Sequence, residues 1–166
     1  MNVIAISACL MGTHCRYNGS SALNNELFEL VKDRDVLLFC PEIMANLPTP
    51  RSPVEIAGGN GYDVINGQAM VVNKEGINMT GEFLNGAQRA MDLFMQNKVS
   101  AVVLKEKSPS CGVNEIYDGR FLGTLVKGCG VLTALLLQNG LKIFSNEDLH
   151  SLKQWLESQE RVCTDE

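Results

Sequence analysis

Three cysteines in this chain share one local setting. Val3-Ile4-Ala5-Ile6 runs into Ser7-Ala8-Cys9, Val36-Leu37-Leu38-Phe39 runs into Cys40-Pro41-Glu42, and Ala101-Val102-Val103-Leu104 leads to Ser108-Pro109-Ser110-Cys111-Gly112. Each apolar run reads as a strand buried on both faces of a parallel sheet. Open α/β sheets bind ligands in the crevice outside the carboxyl ends of their strands. Three strand ends that each carry one thiol therefore predict one shared site. A single cysteine is more often a buried packing residue; the repeated placement is what points to chemistry. Three thiolates suit two kinds of centre. Zinc can take three cysteines and keep a fourth position for water. A [4Fe–4S] cluster usually takes four cysteines, so three would leave one iron open to a substrate.

The neighbours of these thiols suggest partners for them. Glu42 lies two residues beyond Cys40 and is a candidate general base. Ser108 and Ser110 flank Pro109 beside Cys111. Either hydroxyl could donate to a substrate or relay a proton, or both could simply hydrogen-bond the turn's own backbone. Arg51 and Lys105 could supply positive charge to an anionic cluster or substrate, whereas Lys107 reads as a solvated surface residue. His14 and Cys15 lie near Cys9 and could complete a zinc site, although a lone histidine in a loop is usually solvated. Cys129, between two glycines at a helix start, reads as a packing residue, and Cys163 in the polar tail is given no role.

The elements that must position these side chains follow from hydrophobic period and turn chemistry. Leu23, Leu27, Leu30 and Val31 recur at helical spacing and predict a helix over 23–33. Four of the five prolines fall between residues 41 and 53, which predicts a stiff, extended loop that holds Glu42 and Arg51 near Cys40. Residues 69–73 and 76–79 flank Lys74-Glu75 and predict a small β-hairpin, with Gly58–Gly61 as a flexible turn before it. Thr80 is the expected cap of a helix over 80–97 whose stripe is Phe83, Leu84, Ala87, Met91 and Phe94. A further apolar helix over 131–137 closes at Asn139-Gly140. A last strand over 142–145 leads to a helix capped by Asn146. Strands alternating with helices predict an α/β fold: one domain over 1–166, Rossmann-like, with a mainly parallel sheet flanked by helices and the hairpin as an insertion. The polar tail from about residue 159 is expected to fray.

Composition narrows the function. A net charge of −5 and a pI near 5.1 leave no basic footprint for nucleic acid. No apolar run reaches the roughly 20 residues of a membrane span, and no basic leader precedes the first strand, so a cytoplasmic protein is expected. Six cysteines in a reducing compartment favour metal or catalytic roles over disulfides. There is no C-x-x-C pair, so a zinc ribbon, a thioredoxin-type motif and the common ferredoxin run are all disfavoured.

Seven motifs in order carry a resemblance over residues 3–150. They are Ser-Ala-Cys-Leu-Met-Gly (7–12), Arg-Tyr-Asn-Gly (16–19), Cys-Pro-Glu (40–42), Leu-Pro-Thr-Pro-Arg (47–51), Lys-Ser-Pro-Ser-Cys-Gly (107–112), Ile-Tyr-Asp-Gly (116–119) and Gly-Val-Leu-Thr-Ala-Leu-Leu (130–136). Together they resemble the thiouracil desulfidase family. The resemblance implies a [4Fe–4S] cluster held by Cys9, Cys40 and Cys111, and non-redox removal of sulfur from thiouracil to give uracil and hydrosulfide. It implies that the thiocarbonyl sulfur of a small thiolated substrate meets the open iron while water attacks the carbon. Acid/base roles carry over onto Glu42 and Ser108. The chain departs from the family's usual pattern at Asn18, where aspartate is common, and at Lys107, where arginine is common. Two other readings stand beside this one: a non-catalytic iron–sulfur or metal-binding carrier or sensor, and a zinc hydrolase.

Overall fold

A computed structural model describes the backbone of residues 2–164 and the side chains of residues 2–162; the side chain of Cys163 lies outside these. In chain order the elements are β1 (Val3–Ser7), a 3-10 turn (Ala8–Met11), α1 (Asn25–Val31), β2 (Val36–Phe39), α2 (Pro41–Met44), β3 (Val54–Ala57), α3 (Gly61–Ile65) and β4 (Met70–Asn73). Then follow α4 (Thr80–Gln96), β5 (Val99–Leu104), β6 (Glu115–Tyr117), β7 (Leu125–Lys127), α5 (Val131–Gln138), β8 (Lys142–Ser145) and α6 (Leu149–Thr164).

β1, β2, β5 and β8 form the main sheet in the order β2-β1-β5-β8, with every pairing parallel. The strand period of two sends alternate side chains to opposite faces. Ala5, Val102 and Leu104 join Phe83, Met91, Phe94, Leu132 and Leu136 in one core layer. Ile4, Ile6, Ala101 and Val103 join Leu27, Val31, Leu152 and Leu156 in the other. These are the two helical layers expected of a parallel sheet with both faces covered. Each fully buried aliphatic or aromatic side chain of this kind contributes about 1.5–3 kcal/mol relative to exposure. Phe39 at the end of β2 meets Phe94 of α4 edge-on, with ring centroids 4.7 Å apart.

Several local expectations are corrected. Pro41 does not extend the chain. It occupies the first turn of α2, where its missing N–H costs nothing, and Cys40 is the residue before that turn. The hairpin turns back on β4 through the antiparallel bridge Val72–Asn78, with the Asn73 N–H donating to Ile77 and the Met79 N–H to Val71, but the longer partner of β4 is β3, which was not expected. Tyr62 and Asp63 donate to Asn60 while Asp63 accepts from the Asn60 N–H, so this capping box starts α3 where a flexible turn was expected. The Thr80 hydroxyl accepts from the Val71 N–H and therefore does not cap α4. Asn146 is likewise occupied, accepting from the Glu106 N–H, and Asp148 instead accepts from Ser151 in the first turn of α6. Among the described residues α6 continues to Thr164, with a bond from Asn2 to Gln159 at 3.0 Å and an Arg34–Glu160 ion pair; residues 165 and 166 of the tail lie outside them.

Candidate active site

The strand order decides which strand ends are neighbours. β1 has β2 on one side and β5 on the other, so Cys9, Cys40 and Cys111 issue from three adjacent carboxyl ends. All three line one cavity of about 420 Å³, together with Cys15, Glu42, Arg51, Lys105 and Ser108. A volume of this size suits a small ligand. Cys9 and Cys111 are buried and Cys40 is half-buried.

Each thiol is held by the local chain. Cys9 sits in the 3-10 turn closed by Gly12 at φ 97°. Cys40 leads into α2, and α2 lies close on α4 because Gly86 has no side chain: a Cβ there would stand 2.2 Å from the Pro41 carbonyl oxygen. Cys111 is set by the Ser108-Pro109-Ser110-Cys111-Gly112 loop. The Ser108 Oγ accepts from the N–H groups of Ser110 and Cys111, both at 3.1 Å. The loop in turn caps α5, whose Val131 and Leu132 N–H groups donate to the carbonyls of Pro109 and Ser110. Gly130 makes this approach possible, since a Cβ there would lie 2.4 Å from the Ser110 carbonyl carbon. Gly130→Ala is therefore expected to displace the Cys111 loop and to destabilise the protein by about 1–3 kcal/mol, read as a shifted urea midpoint.

The electrostatics of the cavity follow from burial and from contacts among the thiols. A hydrogen bond from Cys15 holds the Cys9 thiol below its ordinary pKa, and Lys105 acts in the same direction. The Cys15 thiol accepts from Cys40, which lowers its pKa. Donation to Cys9 and burial outweigh that and push it up to about 11. The Cys40 thiol is pushed up by its bond to Cys15 and by burial. Burial also raises the Cys111 thiol, opposed by hydrogen bonds from Ser7 and Ser108. Burial pushes the Glu42 carboxyl up, and Arg51 opposes it, with the Arg51 Nε donating to Glu42 Oε1 at 3.2 Å. Arg51 also donates to the carbonyls of Cys15 and Pro48, which ties the Cys15 loop to the Glu42 turn. Burial and Arg16 depress the Lys105 ammonium.

The structure thus brings Cys9, Cys40, Cys111, Glu42 and Ser108 to one cavity. Of the two serines, Ser108 lines it, whereas Ser110 is buried in the loop. Ser108 also closes the turn on its own backbone, so both readings of that hydroxyl describe one residue. His14 is exposed against the Gly19 carbonyl and Cys129 is buried away from the cavity lining. Lys107 reaches the rim, half-exposed, with Glu147 at 3.6 Å.

Sequence reasoning missed Glu106. Its carboxylate is 1% exposed. Oε1 accepts from the N–H groups of Val113, Asn114 and Glu115 at 2.7–3.1 Å, and Oε2 accepts from Ser145 Oγ at 2.6 Å. The chain returning from Cys111 is thereby stapled to the end of β5. The available signal was an acidic residue two places beyond an apolar strand, between two lysines, where a surface side chain is the commoner outcome. Glu106→Ala leaves several buried donors unpaired and is expected to cost about 3–5 kcal/mol. Burial raises this carboxyl, but the Ser145 hydroxyl and the three N–H groups outweigh it, and the net pKa is lowered. A depressed folded pKa gives stabilisation that is complete above the unfolded value of about 4.3 and is lost as pH falls through the folded value. Urea melts at neutral pH and on acidification should show wild type losing more stability than Glu106→Gln.

Comparisons with known proteins bear on the family and the fold. The family model for 2-thiouracil desulfurase matches residues 4–148. The uncharacterized protein YbbK of Bacillus subtilis (strain 168) is 41% identical over 150 residues, covering 90% of this chain and 99% of its own. The solved structure of the [4Fe-4S]-dependent thiouracil desulfidase TudS superposes with a TM-score of 0.82 at 39% identity, covering 95% of this chain and 99% of its own. The match runs from β1 to the edge of α6 and spans all three cysteine-bearing strand ends, and this chain belongs to the 2-thiouracil desulfurase family.

Proposed function

We propose that this protein is a [4Fe–4S]-dependent desulfidase that removes sulfur from thiouracil or a related small thiolated compound and releases hydrosulfide. The observation that carries the reading is the delivery of Cys9, Cys40 and Cys111 from three adjacent strand ends to one cavity. The likeness to TudS, described as [4Fe-4S]-dependent, supports it.

The donor set fits such a cluster. Thiolates select iron–sulfur clusters or zinc. Among the described residues no group of three His, Cys, Asp or Glu side chains is placed to hold a single metal ion. In a four-iron cluster each cysteine binds its own iron, so the donors need not converge on one point. The likeness to the [4Fe-4S]-dependent TudS favours the cluster over the zinc hydrolase. Cys9, Cys40 and Cys111 would hold it, and its open iron would supply a Lewis acid for the substrate's sulfur.

The remaining chemistry belongs to the chain. Arg51 occupies Glu42 Oε1, which leaves Oε2 to take a proton from the water that attacks the thiocarbonyl carbon. The Ser108 Oγ accepts two backbone N–H groups, so its own proton points outward as a donor toward Cys111 or substrate. Carbon–sulfur cleavage then yields uracil and hydrosulfide with no net change of oxidation state.

Anaerobic reconstitution tests the reading. The expected result is a brown protein with about four irons and about four sulfides per chain, which releases hydrosulfide from 2- or 4-thiouracil. An iron-loaded protein that releases none would be a carrier or sensor instead. Stoichiometric zinc without colour would favour the hydrolase.

A further inference from the structure

We propose that Phe121, held in place by Glu55, is the wall on which the substrate's ring stacks, and that it restricts the enzyme to planar heteroaromatic thiocarbonyl compounds. The inference rests on the desulfidase reading and adds the part of the site that recognises the ring rather than the sulfur.

Phe121 and Glu55 line the same cavity as the three thiols. Phe121 lies in the connection between β6 and β7, at φ 58°. A bulky residue in that region is uncommon and is held there by its surroundings. Two contacts hold it. Glu55, on β3 and 9% exposed, accepts through one oxygen from the N–H groups of Gly119 at 3.0 Å and Phe121 at 3.2 Å. Gly119, at φ 91°, lies so close to β3 that a Cβ would stand 2.6 Å from the Ile56 carbonyl oxygen. The next residue, Leu122, is 73% exposed. The backbone thus turns one large apolar side chain to the cavity and the other to solvent. The buried Glu55 carboxylate serves two loop amides, and its role is to position the loop. Of the other aromatic residues lining the cavity, Phe39 is buried against Phe94, Tyr17 is 40% exposed and Tyr117 is half-buried on β6; Phe121 is the one whose own N–H is fixed by a buried carboxylate. An aromatic side chain in such a place stacks on any planar ring and tolerates its substituents.

The test uses the full, cluster-loaded chain with 2-thiouracil and its puckered analogue 5,6-dihydro-2-thiouracil. Wild type should prefer the planar compound. In Phe121→Ala, KM for 2-thiouracil should rise about tenfold or more, as expected for loss of base–aromatic stacking. Its kcat should stay within about twofold, since the lost binding is uniform, and the preference over the puckered analogue should collapse. Phe121→Tyr, which keeps a ring, should restore both. Phe121→Leu, which fills the space without one, should not, and it serves if the alanine variant fails to fold. Glu55→Ala should reproduce the KM defect of Phe121→Ala, whereas Glu55→Gln, which retains an accepting oxygen, should be mild. Iron content and thermal melts on each variant separate this from general damage. Folded, iron-loaded Phe121→Ala and Phe121→Leu with wild-type KM and wild-type preference would overturn the wall alone. A cluster-loaded wild type that desulfurises neither compound would overturn the desulfidase reading, and the wall with it.

Discussion

Cys111→Ser should yield a folded protein that retains essentially no iron after reconstitution and releases no hydrosulfide. A serine hydroxyl is a hard, protonated donor at neutral pH, whereas iron–sulfur clusters are held by thiolates. The Cys111 loop is fixed by Ser108 on one side and by the first turn of α5 on the other, so the loop stays in place when the sulfur is lost. Cys9→Ser and Cys40→Ser should behave alike. Cys15 is the informative control. It lines the same cavity and is hydrogen-bonded to both Cys9 and Cys40. If it is only their neighbour, Cys15→Ser should keep most of its iron. Iron and sulfide counts on the four variants decide the matter, and a Cys15→Ser protein as empty as Cys111→Ser would show that the three-ligand assignment is wrong.

The second large effect is expected at Glu42. Glu42→Gln preserves shape and can still accept from Arg51, but it cannot take a proton. The expected loss in kcat is about 10²–10⁴-fold with unchanged iron content. The pH profile gives an independent readout. Burial holds the Glu42 carboxyl above its ordinary value, with Arg51 opposing the rise. A base must be ionised, so kcat/KM should fall on the acid side at a pH above that of an ordinary glutamate, and this limb should vanish in Glu42→Gln. A variant with full activity and an unchanged acid limb would remove Glu42 from the mechanism.

The parts of the fold that follow local rules were legible in the sequence. Uninterrupted apolar runs identified β1, β2 and β5; Cys40 follows β2 directly, and Cys9 and Cys111 lie on the segments that leave β1 and β5, which is why all three were visible. Proline was read through its stiffness alone, and its tolerance of a helix's first turn was overlooked at Pro41. Thr80 and Asn146 were given helix caps that their hydroxyl and amide spend on distant backbone groups, Val71 and Glu106. Glu55 and Glu106 escaped notice for a related reason. Their partners lie many residues away, and only tertiary structure turns an apparently solvated carboxylate into a buried acceptor. The β3–β4 pairing was hidden because Val54-Glu55-Ile56 is short and follows the prolines. Ser108 could be separated from Ser110 only once the turn's direction was known.

The strand order also sets when the site can come into being. β1 lies between β2 and β5, and its register with β5 joins Ile4 to Ala101 and Ile6 to Val103. A chain emerging from the ribosome N-terminus first has Cys9 and Cys40 in hand early, but the Cys111 loop can be seated only after β5 and the first turn of α5 have both left the exit tunnel. Pairings this remote in sequence close slowly, because loop entropy is lost before contacts repay it. The three thiols therefore stay apart for most of synthesis and come together only near the end of folding.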